Sequence, residues 1–262
     1  MNLLFLGDIV GKPGRLAVRA VLPKLIHREQ ASFVIANCEN VSGGAGVEPD
    51  QCRELLDAGV DVLTSGNHIW RKREIVEYID REPRLLRPAN FPPGTAGAGW
   101  NCYRTPDGTA VAVINLIGRV FMDALDCPFQ AVDAILAEIG GRARVIFVDM
   151  HAETTSEKGA MGWYVAGRAS AVVGSHTHVQ TADERVLEPG TAFLTDAGMC
   201  GPIDSVIGVK SDLAIRRFVT HLPTRFETAS GRTVVQGAVV AIDPASGRAT
   251  AIKRVQEYVE RP

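Results

Sequence analysis

The fold is decided by residues 228–255, which read TASGRTVVQGAVVAIDPASGRATAIKRV. Apolar and β-branched residues dominate this stretch, and Ser230-Gly231 and Ser246-Gly247 supply the small residues that turns require. It therefore predicts a meander of strands. The first part of the chain instead alternates short apolar runs with helix-like segments, which is typical of parallel strands with crossover helices. A purely parallel sheet does not explain both regions, so we expect a mixed α/β (α+β) fold with helices on the outer faces.

The remaining elements follow from apolar runs and their flanking Pro and Gly residues. Buried strands are predicted at 3–7, 33–37, 60–66, 144–150, 170–175 and 191–198, with a hairpin formed by 99–105 and 109–117. Helices are predicted at 13–29, between Pro49 and Gly59, at 71–80 and at 128–139. The chain has no obvious linker, low-complexity segment or internal repeat, so we expect a single domain over residues 1–262.

Composition excludes several classes of protein. The 28 basic and 30 acidic residues give a net charge of −2, so bulk positive charge does not hold this chain to long nucleic acid. A small anionic ligand bound by a local site is still compatible with this balance. Five cysteines without a C-x-x-C pair favour free thiols in a reducing compartment. No signal peptide or membrane-length apolar run is evident, so we expect a cytoplasmic protein without a membrane partner.

Polar side chains follow five of the predicted strands, at the point where each strand ends. Because ligands bind at the carboxyl ends of parallel strands, we expect these groups to share one rim. The candidates are Asp8, Glu39, Asn40, Asn67, His68, His151, His176 and His178.

Taken singly, most of these residues have a plainer explanation. Asp8 could cap a helix, Asn67 could serve a turn, and His151 could be a core histidine. Glu39 is harder to explain in this way, because desolvating an unpaired buried carboxylate costs roughly several kcal/mol. His176 and His178, two residues apart, would point to one side of an extended chain. The joint pattern therefore carries the hypothesis of a metal site.

The ligand types indicate the metal. Three imidazoles, two carboxylates and one or two amide oxygens fit Fe, Mn or Zn better than Ca or Mg. The set exceeds one four-ligand site and suffices for two ions that share a bridging carboxylate. We expect two metal ions drawn from Fe, Mn and Zn.

The motifs resemble the metallophosphoesterase superfamily, and within it the YmdB-like branch. The superfamily pattern is approximated by GD at 7–8, GNH at 66–68, a lone His151 and GSHTH at 174–178. The chain departs from it in having Asp8-Ile9-Val10 where Asp-x-His is usual, NCEN at 37–40 where an Asp bridges, and Ser175 before the first histidine. These departures are shared by the YmdB-like branch. Longer strings also resemble that branch: GDIVGKPGR, IANCENVSGGAG, TSGNHIW, DMHAETTSEKGAMGWY and GSHTHVQTADERVL.

The resemblance implies a four-layer αββα sandwich of two mixed sheets flanked by helices. It also implies a dinuclear phosphodiesterase for 2′,3′-cyclic nucleotides such as 2′,3′-cyclic AMP. Carried over by position, the first metal would be held by Asp8, Glu39, Asn40 and His178. The second would be held by Glu39, Asn67, His151 and His176, with His68 as the proton donor. Since adjacent side chains on a strand point to opposite faces, Glu39 and Asn40 converge only if the chain turns there.

The expected mechanism is attack on phosphorus by a metal-bound hydroxide. Two alternatives stay open: a broad-specificity metal-dependent phosphatase or nuclease, and a regulatory protein with a structural metal site. A purely structural site has no use for a proton donor, so His68 discriminates between enzyme and regulator. Asp149 shares a strand face with His151 and could orient that imidazole. The residues that clamp the phosphate are not evident from the sequence, and a homo-oligomer is compatible with it.

Overall fold

The computed structural model describes residues 1–260, which form thirteen strands and six α-helices. The strands are β1 (Asn2–Leu6), β2 (Asp8–Ile9), β3 (Ala31–Asn37), β4 (Val62–Thr64), β5 (Trp100–Arg104), β6 (Ala110–Ile117), β7 (Val145–His151), β8 (Ala171–Ser175), β9 (Arg185–Leu187), β10 (Thr191–Leu194), β11 (Met199–Pro202), β12 (Thr233–Ile242) and β13 (Ala249–Val259). The helices are α1 (Gly11–Glu29), α2 (Pro49–Asp57), α3 (Ile75–Tyr78), α4 (Pro128–Ile139), α5 (Thr155–Tyr164) and α6 (Ser211–Thr220).

The first sheet joins the two ends of the chain. Strands β1, β3 and β4 run parallel, as the early strand–helix alternation predicts. Strand β12 pairs antiparallel with β1 and β11 along one edge, and antiparallel with β13 along the other. The sheet order is β2-β11-β12-β1-β3-β4, with β13 added on β12. The β-rich stretch of residues 228–255 thus completes the first sheet rather than forming a separate domain.

The second sheet has the order β5-β6-β7-β8-β10-β9. Its four inner strands are parallel, and the edge strands β5 and β9 are antiparallel to their neighbours. The predicted hairpin of 99–105 and 109–117 is β5 and β6. Both sheets are therefore mixed.

The two sheets pack face to face, because successive side chains on a strand point to opposite faces. From β1, Leu3 and Phe5 point toward the second sheet, and the Phe5 and Phe147 ring centroids lie 5.1 Å apart. Leu4 and Leu6 point the other way, into a cluster with α1 and α2. A third cluster packs α4 and α5 on the outer face of the second sheet. The predicted four-layer αββα sandwich is confirmed.

Several predicted elements differ in extent. The helix predicted at 71–80 is only the single turn α3, because Ile75 and Ile79 are its only buried residues. The strand predicted at 191–198 ends at Leu194. The turn at Ser246-Gly247 does connect β12 and β13, whereas Ser230-Gly231 lies between α6 and β12 and closes no hairpin with β11.

Helices α5 and α6 were not predicted from the sequence. Two glycines make α5 look like a loop, but Gly162 is a packing residue. A Cβ atom there would lie 2.5 Å from the Phe193 ring. All five cysteines are free thiols, as expected. Within residues 1–260, the structure contains no helix of the length and apolar character needed to cross a membrane.

Candidate metal centre

The candidate residues meet where the carboxyl ends of the two sheets come together. Asp8, Glu39 and Asn67 follow β1, β3 and β4 of the first sheet. His151 is the last residue of β7, and His176 follows β8 of the second sheet. Because the sheets face each other, five segments remote in sequence deliver their side chains to one place.

One half of the cluster surrounds His151, which is fully buried. Its Nε2 atom lies 3.1 Å from Asn67 Oδ1, 3.1 Å from His176 Nδ1 and 3.3 Å from Glu39 Oε1. Ligand atoms of Glu39, His151 and His176 all lie within 4.8 Å of one another. We call these residues, with Asn67, the His151 group.

A relay of hydrogen bonds fixes the His151 ring. Thr64 Oγ1 and Asn37 Nδ2 donate to Asp149 Oδ2 at 2.5 and 3.2 Å, and Ser175 Oγ donates to Asp149 Oδ1 at 2.6 Å. Since the Ser175 proton is used in this way, its oxygen accepts from His151 Nδ1 at 2.9 Å. Neutral His151 therefore turns the lone pair of Nε2 toward the cluster. The predicted orienting role of Asp149 is exerted through Ser175.

The donor atoms around His151 suit a cation. A lone pair on His151 Nε2 faces a carboxylate oxygen, an amide oxygen and a second imidazole nitrogen, all of which are acceptors or ligands. Burial lowers the pKa of His151, but the carboxylates of Glu39, Asp8 and Asp149 outweigh burial and raise it to about 9. The donor set, imidazole with carboxylate and amide, fits a transition metal.

The other half of the cluster contains Asp8, Asn40 and His178, which we call the His178 group. His178 Nδ1 donates to the Ile207 carbonyl oxygen at 2.8 Å, so Nε2 faces inward. That atom lies 3.6 Å from Asp8 Oδ1 and 3.1 Å from Asn40 Nδ2. Burial raises the pKa of Asp8, but His178 and His151 together more than offset this effect and the net pKa is lowered.

Glu39 lies between the two groups. Its Oε1 atom is 3.3 Å from His151 Nε2 and 3.3 Å from Asn40 Nδ2. The side chain is buried, yet contacts with His151 and His68 overcome the desolvation and hold its pKa well below the usual value. An ionised carboxylate in this position is suited to bridging two cations.

The backbone makes room for this carboxylate. A Cβ atom at Gly66 would lie 2.2 Å from the His151 ring and 2.5 Å from Glu39 Oε2. Residue 66 therefore has to be glycine. The chain also turns immediately after β3, with Glu39 N donating to Asn37 Oδ1 at 3.1 Å. This turn lets Glu39 and Asn40 converge, as the sequence analysis required.

Asn40 presents its amide nitrogen to the cluster. Its Nδ2 atom is 3.5 Å from Asp8 Oδ1, while Oδ1 is 2.8 Å from His68 Nδ1. An amide ligand binds a metal through oxygen. Coordination by Asn40 thus requires a half-turn of the amide, which exchanges the two atoms.

The expectation of an extended chain at His176 and His178 is wrong. Their φ angles are 96° and 63°, so the chain bends sharply between the two groups. Thr177 is held by Asp196, which accepts from its backbone N at 3.2 Å and its hydroxyl at 2.6 Å. Asp196 is paired in turn with the buried Lys158 at 2.6 Å. The two histidines reach the cluster through this tethered bend rather than through strand alternation.

His68 lies at the edge of the cluster, with 27% of its side chain exposed. Its Nδ1 atom is 3.2 Å from Glu39 Oε1, and its backbone N donates to Glu39 Oε2 at 2.9 Å. Within residues 1–260, His68 Nε2 has no hydrogen-bond partner. The ring therefore borders the pocket that opens over the cluster.

Glu153 is not among the site residues predicted from the sequence. Its Oε2 atom lies 3.0 Å from His176 Nε2, on the side of the ring away from His151. A carboxylate on the remote nitrogen of a metal-binding imidazole fixes the orientation of the ring. The position of Glu153 two residues beyond the end of β7 was a signal in the sequence that could have identified it as a site residue.

Comparison with known proteins agrees with this geometry. The chain matches the family model described as YmdB-like protein over residues 4–255. It is 49% identical, over 97% of this chain and 96% of the relative, to the 2′,3′-cyclic-nucleotide 2′-phosphodiesterase of Bacillus subtilis. A crystal structure of a novel phosphatase from Mycoplasma pneumoniae is 30% identical, with a TM-score of 0.93, and the alignment covers 100% of this chain and 95% of that one.

A more distant structure shares the fold alone. The calcineurin-like phosphoesterase YfkN of Bacillus subtilis superposes with a TM-score of 0.55 at 11% identity, covering 98% of this chain and 90% of that one.

The fold is that of a calcineurin-like phosphoesterase, and the chain is a phosphoric ester hydrolase. Within the class, it belongs to the YmdB-like family.

Proposed function

We propose that this enzyme hydrolyses 2′,3′-cyclic nucleotides such as 2′,3′-cyclic AMP with the help of two metal ions. The observation that carries the proposal is the convergence of the His151 and His178 groups on the shared carboxylate of Glu39. The identity to the Bacillus subtilis phosphodiesterase supports the choice of substrate.

The ligand assignment follows the two groups. Asp8, Asn40, His178 and Glu39 would hold one ion, and Asn67, His151, His176 and Glu39 the other. We propose Fe, with Mn or Zn as alternatives, because imidazole and carboxylate ligands suit these ions. When bound, such ions neutralise charge on a phosphate and lower the pKa of a water molecule.

His68 would protonate the leaving ribose oxygen. Its backbone and Nδ1 contacts with Glu39 hold the ring beside the cluster, and Nε2 is left open to the pocket. A general acid positioned beside the leaving group accelerates a reaction by about 10²–10⁴-fold. An open imidazole beside the cluster disfavours the alternative of a regulatory protein with a structural metal site.

Three further proposals concern the protein as a whole. The free thiols support a cytoplasmic location. We also propose that residues 1–262 act as one domain and that the substrate is a small phosphoester rather than long nucleic acid. Assembly into a homo-oligomer is a compatible further proposal.

A broader phosphatase activity is the second candidate, because the Mycoplasma pneumoniae structure at 30% identity is titled a phosphatase. Metal analysis of the purified protein combined with a substrate panel separates the two. The panel contains 2′,3′-cyclic AMP, 3′,5′-cyclic AMP, a simple phosphomonoester and short RNA. We expect close to two metal ions per chain and preference for 2′,3′-cyclic AMP. Equal turnover of the phosphomonoester would favour the phosphatase instead.

A further inference from the structure

The pocket over the cluster has two chemically different sides. It encloses about 450 Å³, a size suited to a nucleotide-sized ligand. One set of lining residues consists of charged and polar groups of the candidate metal centre. The other includes Val10, Ile207, Val209 and Phe226, which we call the apolar wall.

Two residues of the apolar wall are open to solvent. Ile207 and Phe226 are each 49% exposed, although both face a concave surface. A concave site with apolar walls and a few convergent polar groups is typical of small-molecule binding. The wall therefore has the character of a surface that a ligand covers.

Ile207 is held in a conformation that its side chain disfavours. Its φ is 48°, and it is followed by Gly208 at 98° in a tight turn closed by hydrogen bonds between Val206 and Val209. Asn and Gly are the usual residues in such a turn, and a β-branched residue there is strained. The contact of its carbonyl oxygen with His178 needs only the backbone, so it does not explain why residue 207 is Ile. The side chain, at the pocket, offers a reason for tolerating the strain.

Backbone pairing fixes the two halves of the wall relative to each other. Lys210 N donates to Glu227 O at 3.0 Å, and Ala229 N donates to Gly208 O at 2.9 Å. This short ribbon ties the turn at Ile207 to the segment that carries Phe226. The wall is thus part of one framework that also holds His178.

The charges of the pocket set the direction of a bound ligand. Among residues 1–260, those that line it include no Lys or Arg. An anionic group therefore finds a cationic partner only at the cluster, once cations occupy it. The rest of the ligand then extends along the apolar wall.

We propose that the apolar wall is a nucleobase subsite, in which Phe226 and Ile207 contact the face of the base while the cyclic phosphate lies at the cluster. This inference rests on the proposed function. Every base has an apolar face, and stacking on an aromatic ring is tolerant of base identity. The subsite would raise affinity for nucleotides over simple phosphodiesters without selecting strongly among bases.

The test compares a substrate that has a base with one that lacks it, using the metal-loaded enzyme. Wild-type protein, Phe226→Ala and Phe218→Ala are assayed with 2′,3′-cyclic AMP and with ribose 2′,3′-cyclic phosphate. Phe218 is a matched control, since it is 74% exposed on α6 and does not line the pocket. We expect Phe226→Ala to raise KM for 2′,3′-cyclic AMP by about 5–100-fold, the range of one base–aromatic contact. The KM of Phe226→Ala for ribose 2′,3′-cyclic phosphate should stay within about twofold of wild type. The KM values of Phe218→Ala for both substrates should do the same.

Ile207→Asn provides a second and independent test. Asn keeps the backbone carbonyl that faces His178 and accepts the left-handed conformation more readily. We expect KM for 2′,3′-cyclic AMP to rise, because the side chain no longer contacts the base. The melting temperature should increase by roughly a few degrees, because local backbone strain is relieved. Opposite changes in affinity and stability distinguish a ligand-binding role from a packing role.

Two results would overturn the subsite: an unchanged KM for 2′,3′-cyclic AMP in Phe226→Ala, or an equal rise for both substrates. If wild-type enzyme hydrolyses neither cyclic ester, the proposed function fails. The subsite is then judged by calorimetric binding of adenosine 3′-monophosphate to metal-loaded wild type and Phe226→Ala. Weaker binding to the variant would uphold the subsite, and equal binding would refute it.

Discussion

The two halves of the candidate metal centre are held by different means. His151 lies on a regular strand, and its ring is oriented by side chains, through Ser175 and Asp149. His178 lies on a sharp bend, and its ring is oriented by the backbone carbonyl of Ile207. The comparison teaches that side-chain substitutions act directly on the His151 ring, whereas they reach the His178 ring only by altering the path of the chain.

The largest effect on metal binding and activity is expected at Glu39, because both groups share this residue. We expect Glu39→Gln to lose both metal ions and all measurable activity, because the amide removes the buried negative charge between the two groups. Metal content by mass spectrometry and turnover of 2′,3′-cyclic AMP are the readouts. Glu138→Gln, on the exposed face of α4, is the control. Retention of both ions in Glu39→Gln would show that this carboxylate does not bridge.

His68 borders both groups without being required by either. His68→Ala should keep both metal ions and lower kcat by about 10²–10⁴-fold, the usual contribution of a general acid. The two readouts together separate proton donation from metal binding. Normal kcat with full metal content would remove His68 from the mechanism.

The bend that carries His178 depends on the buried pair of Lys158 and Asp196. Lys158→Met leaves Asp196 buried without its cation, which typically costs about 3–5 kcal/mol of folding free energy. We expect this loss in chemical denaturation, together with weakened metal binding by the His178 group. The exposed Lys12→Met serves as the control. A denaturation curve equal to that of wild type would mean that Thr177 is held without the pair.

The smallest effect is expected from the relay behind His151. Ser175→Ala removes the acceptor of the His151 Nδ1 proton, and such changes lower metal affinity by about 10–100-fold. The loss should affect one of the two ions, so titration with a chelator should become biphasic. Thr177→Ser, which retains a hydroxyl, should leave titration unchanged. Equally weakened binding of both metal ions in Ser175→Ala would show that the two halves are not supported separately.

The sequence predicted those features that local pattern determines. Buried strands end in ligand-type residues, so Asp8, Glu39 and His151 were placed on one rim without coordinates. The fold class followed from the contrast between early and late segments. Helix α5 was missed because Gly162 reads as a loop signal, although it serves close packing against Phe193.

Features that join distant segments were beyond the sequence. The pairing of Lys158 with Asp196 and the contact of Glu153 with His176 arise only when the chain folds. The same holds for the apolar wall, since Ile207 and Phe226 are brought together by a ribbon. The bend at His176 was missed because spacing alone cannot distinguish a strand from a left-handed turn.

The insertion of β12 beside β1 has a consequence for biosynthesis. Met1 N donates to Ile242 O, 241 residues later, and Gly7, next to Asp8, donates to Gln236 O at 3.0 Å. While the ribosome is still translating, the strand that leads to Asp8 therefore lacks its neighbour. We expect nascent chains to lack the native arrangement of the cluster until β12 has been made, so that binding of the proposed metal ions follows synthesis of β12.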